Sequence, residues 1–420
     1  MGGAKRYRRR SLAQALPPAV LALALAAALA AAPDTTLDAA LAPPDSTEPA
    51  RPVRVYPRFD VGALYSPTYG VGLGGGVLVK GLGRGGTRTT VDARVSQFLQ
   101  SADVSFATRN PDRYTHGFLG GTVSTETRRP YFGVGPFTER EDRLFLDMLS
   151  ASAEARLGVY PTGSRALYVQ PGVRAVFDRL RGLAADQEQS LGGLDPASRR
   201  AVQSVEGVDR TGVSAGLALG ADLRDNDRYP ERGAAAHAEA RRFWAQDGSG
   251  LRFWRVASSA SAYQPLGALT LTARADLALT RGETEPLPFY YLPALDDRLL
   301  APYPRGRLRG RDVLVVGAGA RLPLADVLGL YGIDLTALGT LGNAYDDVFE
   351  QFEPRVAGAD DVPTAGRAPL RPTAGVGLNV VDRVRRSVLV GAHLGFGPEG
   401  SIVTTFRLAY DLRDLRPLHR

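Results

Sequence analysis

The chain has 420 residues, a formal charge of +7, 48 glycines, no cysteine and a mean hydropathy of −0.13. The missing cysteine excludes a disulfide framework and thiolate metal sites, and the hydropathy excludes a bundle of membrane-spanning helices. Lys5, Arg6, Arg8, Arg9 and Arg10 lie within residues 1–32, which hold no acid. They leave +2 for the remainder, so the basic balance makes no case for nucleic-acid binding.

The first element is an address. A basic start over residues 1–10 is followed by an apolar stretch from Ala19 to Ala32 that closes on Ala30-Ala31-Ala32 before Pro33. That order is a secretory signal peptide over 1–32. The stretch is short for a spanning anchor, which needs about 20 residues. Cleavage is expected after Ala32, with Ala40 as the second candidate. Residues 33–52, rich in Pro, Ala, Asp and Thr and without periodicity, read as a disordered linker.

From residue 53 the chain reads with period two. In 213–223, Val213, Ala215, Leu217, Leu219, Ala221 and Leu223 share one face, against Ser214, Gly216, Ala218, Gly220 and Asp222. In 269–280, Leu269, Leu271, Ala273, Ala275, Leu277 and Leu279 oppose Thr270, Thr272, Arg274, Asp276 and Thr280. Apolar residues on one side and small or charged ones on the other fit a transmembrane β-barrel strand, about 10 residues per crossing. Soluble sandwich strands run about 5–6 residues and do not tolerate unpaired charges on a buried face.

Sixteen such segments are predicted, at 53–65, 69–80, 87–99, 101–109, 114–125, 142–159, 165–178, 209–224, 233–245, 252–264, 268–281, 311–323, 329–341, 368–380, 385–396 and 400–412. An even number is what a single-chain bacterial barrel requires. The long connections, 126–141, 179–208, 282–310 and 342–367, all follow odd-numbered strands. With the N-terminus in the periplasm all four face outward, as in outer-membrane barrels with long external loops and short periplasmic turns. Phe243-Trp244 and Phe253-Trp254 flank one short outer connection and are expected to form part of an aromatic girdle. Asp195-Pro196-Ala197-Ser198 predicts an N-cap, Pro at N1 and a short helix within 179–208. Residues 413–420 extend past the last strand.

Several motifs resemble one family. Arg224-Asp225-Asn226, Tyr229-Pro230 and Arg232-Gly233 resemble the Arg-Asp-Asn turn of the bacterial surface-antigen family, the barrel of BamA/TamA-like outer-membrane proteins. Tyr65-Ser66-Pro67-Thr68-Tyr69-Gly70, Tyr131-Phe132-Gly133-Val134-Gly135-Pro136 and Thr373-Ala374-Gly375-Val376-Gly377-Leu378 are similar to its first hairpin, one of its Phe-Gly loops and a late Gly-rich strand. The resemblance covers about 53–412 and implies an all-β transmembrane barrel of sixteen strands with an inward-folding sixth external loop. The turn also has a physical reading. Asp225 and Asn226 accept left-handed geometry and bond their own backbone, Pro230 interrupts the ladder and Gly233 reopens it. Asp222 and Arg224 are expected to point inward together.

Two departures matter. Family members that assemble or translocate proteins carry POTRA domains before the barrel, whereas about twenty residues separate the expected cleavage site from the first strand here, fewer than the roughly 50 a folded domain needs. A POTRA-less member is therefore expected. The sixth-loop tip has two placements. Leu308-Arg309-Gly310-Arg311 supplies the family's Arg-Gly. Aligning Arg321 with the family's Glu-x-Arg strand end instead puts Leu300-Ala301-Pro302-Tyr303 at the tip, and the family's Arg, Glu and Asp become Ala301, Gly319 and Thr340. The second placement is preferred, since joint loss strands no buried charge; it implies that Arg309 behaves as an exposed charge.

Other chemistry finds little footing. Gly212-Val213-Ser214-Ala215-Gly216 matches a nucleophile elbow, but Ser214 falls mid-strand where the motif needs a strand–turn–helix. No local motif joins a serine to His116, His237, His393 or His419. Gly70-x-Gly72-x-x-Gly75 and Gly395-x-Gly397-x-x-Gly400 open no helix, so they do not mark a dinucleotide site. No catalytic residue, metal site or cofactor is expected, and the chain is not read as an enzyme. The expected role is protein insertion or export in the bacterial outer membrane. The expected partners are outer-membrane lipid and unfolded barrel clients or a separate periplasmic protein, with no nucleic acid. The alternatives are a passive porin-like channel or structural barrel and, below it, an outer-membrane hydrolase.

Overall fold

A computed structural model of the chain describes residues 53–60, 72–80, 87–110, 115–136, 138, 143–161, 166–184, 196–226, 229–284, 287–295, 303, 306–327, 329–357, 366–384, 386–397 and 402–408. The expected signal peptide, linker and C-terminal extension, the Tyr65–Gly70 motif, Asp195, Ala301 and His419 fall outside these residues.

The first eleven strands are β1 (Arg54–Asp60), β2 (Gly72–Lys80), β3 (Arg88–Ser96), β4 (Leu99–Asn110), β5 (Thr115–Tyr131), β6 (Leu144–Val159), β7 (Leu167–Leu183), β8 (Asp209–Asp222), β9 (Gly233–Ala245), β10 (Arg252–Leu266) and β11 (Leu269–Gly282). A two-residue ladder, β12 (Ala294–Leu295) with β13 (Leu308–Arg309), lies in the connection that follows. The meander resumes with β14 (Asp312–Val327), β15 (Tyr331–Tyr345), β17 (Ala368–Asp382), β18 (Ser387–Phe396) and β19 (Ile402–Leu408), while β16 (Phe352–Val356) adds to β17 in parallel. The large sheet has 17 strands; setting β16 aside, sixteen remain, each antiparallel to its sequence neighbour. The sixteen expected segments are these strands. They curl into a large β-barrel.

Alternation decides which face is which. On β8, Val213, Leu217 and Leu219 are exposed while Ser214 and Ala218 are buried. Exposed Val, Leu and Trp residues recur on the same face of β2, β3, β7, β10, β11, β14, β15, β17 and β18. Lipid is the solvent that makes such a surface stable, because the strands leave no apolar face buried elsewhere. The opposite face is the lumen. It carries Glu154 and Arg156 on β6, Arg174 on β7, Glu239 and Arg241 on β9 and Arg274 and Asp276 on β11. On β14–β17 the middle of the lumenal face carries Gly317, Gly319, Leu338, Thr340, Thr373, Gly375 and Gly377, with Arg321 and Asp334 towards one end.

All four long connections gather at one end. The helix expected there is present as α1 (Pro196–Gln203), and α2 (Val348–Gln351), capped by Asp347, precedes β16. The aromatic pairs depart from expectation. Only the tryptophans face outward: Trp254 is exposed and Arg242 lies over both indoles, 5.5 Å from Trp244 and 5.4 Å from Trp254. Phe243 and Phe253 point inward and stack at 4.7 Å. Adjacent residues of a strand cannot share a face, so each Phe-Trp pair is split between lumen and girdle.

The sequence expectation that the long connections face outward can be tested: Phe349→Cys on α2 is then expected to react with an impermeant thiol reagent on intact cells. Val384→Cys, in the β17–β18 turn at the other end, is expected to be spared. Both positions are strongly exposed and the native chain offers no competing thiol. Labelling of Val384→Cys alone would invert the topology.

Candidate functional site

The lumen is bridged at both ends by contacts that skip several strands, which neighbours in a meander cannot make along the sheet.

At the end that gathers the long connections, the segment between β11 and β14 turns into the barrel. Phe289 packs among Tyr131, Leu144, Leu146 and Leu180 of β5–β7 and Val202 and Val205 of the β7–β8 connection. Leu287 and Leu292 pack on Phe243, Leu251 and Phe253. Tyr303 is buried with Leu295, Leu308, Val313 and Val315. Apolar side chains on a connection can only be stable here, since the outer solvent is water. Two arginines secure it. Arg307 donates to the Thr138 hydroxyl and carbonyl, both at 2.7 Å, and lies over the Phe132 ring. Arg309 donates to the carbonyls of Phe289 (2.9 Å) and Leu292 (3.0 Å), while its own carbonyl accepts from the Gly135 amide.

The implication that Arg309 is an exposed charge is corrected: it is buried. Among the described residues it donates to the main-chain carbonyls of Phe289 and Leu292, and these bonds tie it to the loop. Gly310 follows it against β15, where a Cβ would overlap the Tyr345 carbonyl. Of the residues aligned with the family's acids, Thr340 bonds Thr373 across the β15–β17 ladder and Gly319 lies mid-strand on β14.

At the other end, the Arg224–Gly233 turn between β8 and β9 reaches β14, β15 and the β17–β18 turn. Arg224 forms a bidentate pair with Asp222, at 2.8 and 2.6 Å, as expected of two inward residues. The Asp225 carboxylate accepts from the amides of Glu231 and Arg232 and from the Arg386 guanidinium. Asn226 accepts from the Tyr229 amide. The left-handed geometry expected at Asp225 and Asn226 is absent. Among the described residues the non-glycine positive φ belongs to Arg386, at 50°. The turn is long enough for side chains to collect its amides without reversing φ. Gly233 does need its freedom: φ is 99° and a Cβ would overlap the Leu223 carbonyl.

Tyr229 is the far point of this turn. Its ring lies under the Arg321 guanidinium, 3.7 Å from the centroid, and its hydroxyl donates to Asp334. Arg321 also donates to the Pro230 carbonyl at 2.8 Å. Asp334, 1% exposed, takes Arg383 at 2.7 Å and Arg321 at 3.9 Å as well. The structure thus joins Arg224, Asp225, Asn226, Pro230, Gly233 and Arg321 in one cluster and places Arg309 and Gly310 at the opposite end. Sequence reasoning missed Tyr229's anchor, Asp334, and Arg383 and Arg386; the inward phase of Asp334 on β15 was the available signal.

Burial acts to raise the Asp225 pKa, but the bonds from Arg386 and the two amides outweigh it and hold the group at about 2. A depressed carboxyl contributes stability above its unfolded value of about 3.9 and loses it as pH falls towards about 2. Asp225→Asn is therefore expected to flatten the acid limb of the stability curve between about pH 4 and 2, read by heat-modifiable gel migration. An unchanged acid limb would remove Asp225 from the account.

No protein-family model and no curated protein matches the sequence. Among solved structures, BamA from Haemophilus ducreyi lacking POTRA domains 1–3 matches with a TM-score of 0.57 at 12% identity, over 86% of this chain and 67% of that one. CdiB from Acinetobacter baumannii and CdiB from Escherichia coli match with TM-scores of 0.49 and 0.47 at 12% and 13% identity. Those matches cover 84% and 87% of this chain and 58% and 61% of theirs, so the chain spans about three fifths of each CdiB structure. The BamA match carries the fold, and at such low identity the fold alone. With sixteen strands in one antiparallel meander and a connection after β11 that turns inward, this chain is a β-barrel of the BamA/TamA-like fold.

Proposed function

We propose that the chain resides in the bacterial outer membrane and acts in the insertion or export of other proteins there. Its partners are outer-membrane lipid and unfolded barrel clients or a separate periplasmic protein that delivers them. One observation carries the reading: the β11–β14 connection is built into the barrel by Phe289, Tyr303, Arg307 and Arg309 instead of standing outside it. A connection anchored this way takes up lumen that free diffusion would need. The signal peptide expected over 1–32 supports the location. The test is a folding assay in which an unfolded outer-membrane barrel is added to vesicles with or without this protein. Faster acquisition of heat-modifiability by the client is the expected result, and equal rates reject insertion.

A passive channel is favoured by the charged lumenal wall on β6–β11. It predicts a steady conductance in planar bilayers without any client. A hydrolase has no comparable support. The Ser214 hydroxyl reaches the Arg174 carbonyl at 3.4 Å, and His116, His237 and His393 contact Gln170, Tyr168 and Asn379.

A further inference from the structure

Half-way along the lumen, two carboxylates stand among four guanidinium groups. Register aligns Arg156 of β6, Gly172 of β7, Gly216 of β8, and Arg241 and Arg255 of β9 and β10 in one inward-facing row. Glu154 and Arg174 face each other in the adjoining row towards the long connections, and Glu239 lies in the row on the other side. The two glycines leave the wall bare, and the Arg241 stem lies where a Cβ on Gly216 would sit.

The covered members satisfy one another. Glu154 takes Arg156 at 2.8 Å and Arg241 at 2.6 Å, and Glu239 takes Arg241. Arg174 and Arg255 are different. Both are exposed although they lie inside the barrel. Arg174 donates to the Ser152 hydroxyl at 3.3 Å, and Arg255 lies within electrostatic reach of Arg174, Arg241 and Glu239. Asp178, further along β7, lies within reach of Arg174 but is itself buried. The band therefore keeps a surplus of positive charge, concentrated on Arg174 and Arg255. Holding like charges together is unfavourable unless an anion joins them. Guanidinium forks match the oxygen pairs of tetrahedral oxyanions in shape as well as charge.

We propose that Arg174 and Arg255 form a lumenal binding site for a small oxyanion of the phosphate class, with Arg156 and Arg241 held behind them by Glu154 and Glu239. The proposal does not depend on an insertion role, because it is tested on the folded barrel in detergent without any client.

The test is equilibrium dialysis of the folded full chain against radiolabelled inorganic phosphate, at ionic strength fixed with sodium chloride. Saturable binding by the parent is expected. The Arg174→Gln/Arg255→Gln double variant, checked for folding by heat-modifiable migration, should weaken it at least about tenfold, because both charge-assisted contacts to the anion are lost. Arg174→Lys/Arg255→Lys, which keeps the charge and loses the forks, should fall between and serves if the glutamine variant does not fold. Absence of saturable binding in the parent overturns the site. So does binding that both double variants leave unchanged, which would mean an adventitious ion only.

Discussion

Asp334→Ala is expected to destabilise the folded barrel by about 3 kcal/mol, because it removes a buried carboxylate shared by Tyr229, Arg383 and Arg321, leaving Arg383 with Asp326 at 3.9 Å. Asp334 is almost fully buried and accepts from the Tyr229 hydroxyl and from Arg383, with Arg321 at 3.9 Å. Arg321 would retain the Tyr229 ring and the Pro230 carbonyl, but no negative charge on Asp334 would balance it. Asp334→Asn keeps an acceptor for Tyr229 and loses the charge, so it should fall between parent and alanine. The measurement is the midpoint of heat-modifiable migration, or of urea unfolding followed by tryptophan fluorescence. A cost within about 1 kcal/mol, typical of an exposed ion pair, would show that the turn only rests against β14 and β15.

Arg309→Ala should be the most damaging single change at the opposite end. The side chain is buried and its guanidinium holds two carbonyls, those of Phe289 and Leu292, on the segment that carries the loop's apolar anchors. A buried acceptor left without its donor costs about 1–3 kcal/mol, so about 2–5 kcal/mol is expected for the two, tempered by any water that enters. Arg309→Lys offers a single point of donation in place of a planar fork and should recover only part of the loss. Protease accessibility of the β11–β14 connection on whole cells provides the second readout. A midpoint and a cleavage pattern both equal to the parent's would restore the view of Arg309 as an exposed charge.

The strands were legible because a barrel wall has two solvents. Lipid on one side and water or polar side chains on the other impose period two on every crossing, and Val213 to Leu223 shows it without interruption. The gathering of long connections followed from counting. What crosses the lumen left no such trace. Tyr229 meets Asp334 and Arg307 meets Thr138 across 105 and 169 residues, and no local periodicity encodes a meeting of that kind. The β12–β13 ladder is too short to show alternation. The error at Phe243 and Phe253 was avoidable, since alternation already split each pair. Arg309 was misjudged for another reason. The carbonyls of Phe289 and Leu292 that it holds are main-chain groups, which any sequence can supply and no residue type announces.

The separation of those partners also sets an order of events. Among the described residues every ladder of the meander joins strands that follow one another in it, so each can form between neighbouring segments at a smaller entropic cost. The cross-lumen contacts span 105, 161, 169 and 235 residues, for Tyr229 with Asp334, Asp225 with Arg386, Thr138 with Arg307 and Pro136 with Arg371. Contacts of such range carry the largest loop-closure cost and form late. The Arg224–Gly233 turn must wait for β14, β15 and the β17–β18 turn, and the segment around Gly135 must wait for Arg309 and then Arg371. Until the C-terminal third of the chain has joined the sheet, neither crossing contact can be made, and both ends acquire their bridges only when β14 to β18 are in place.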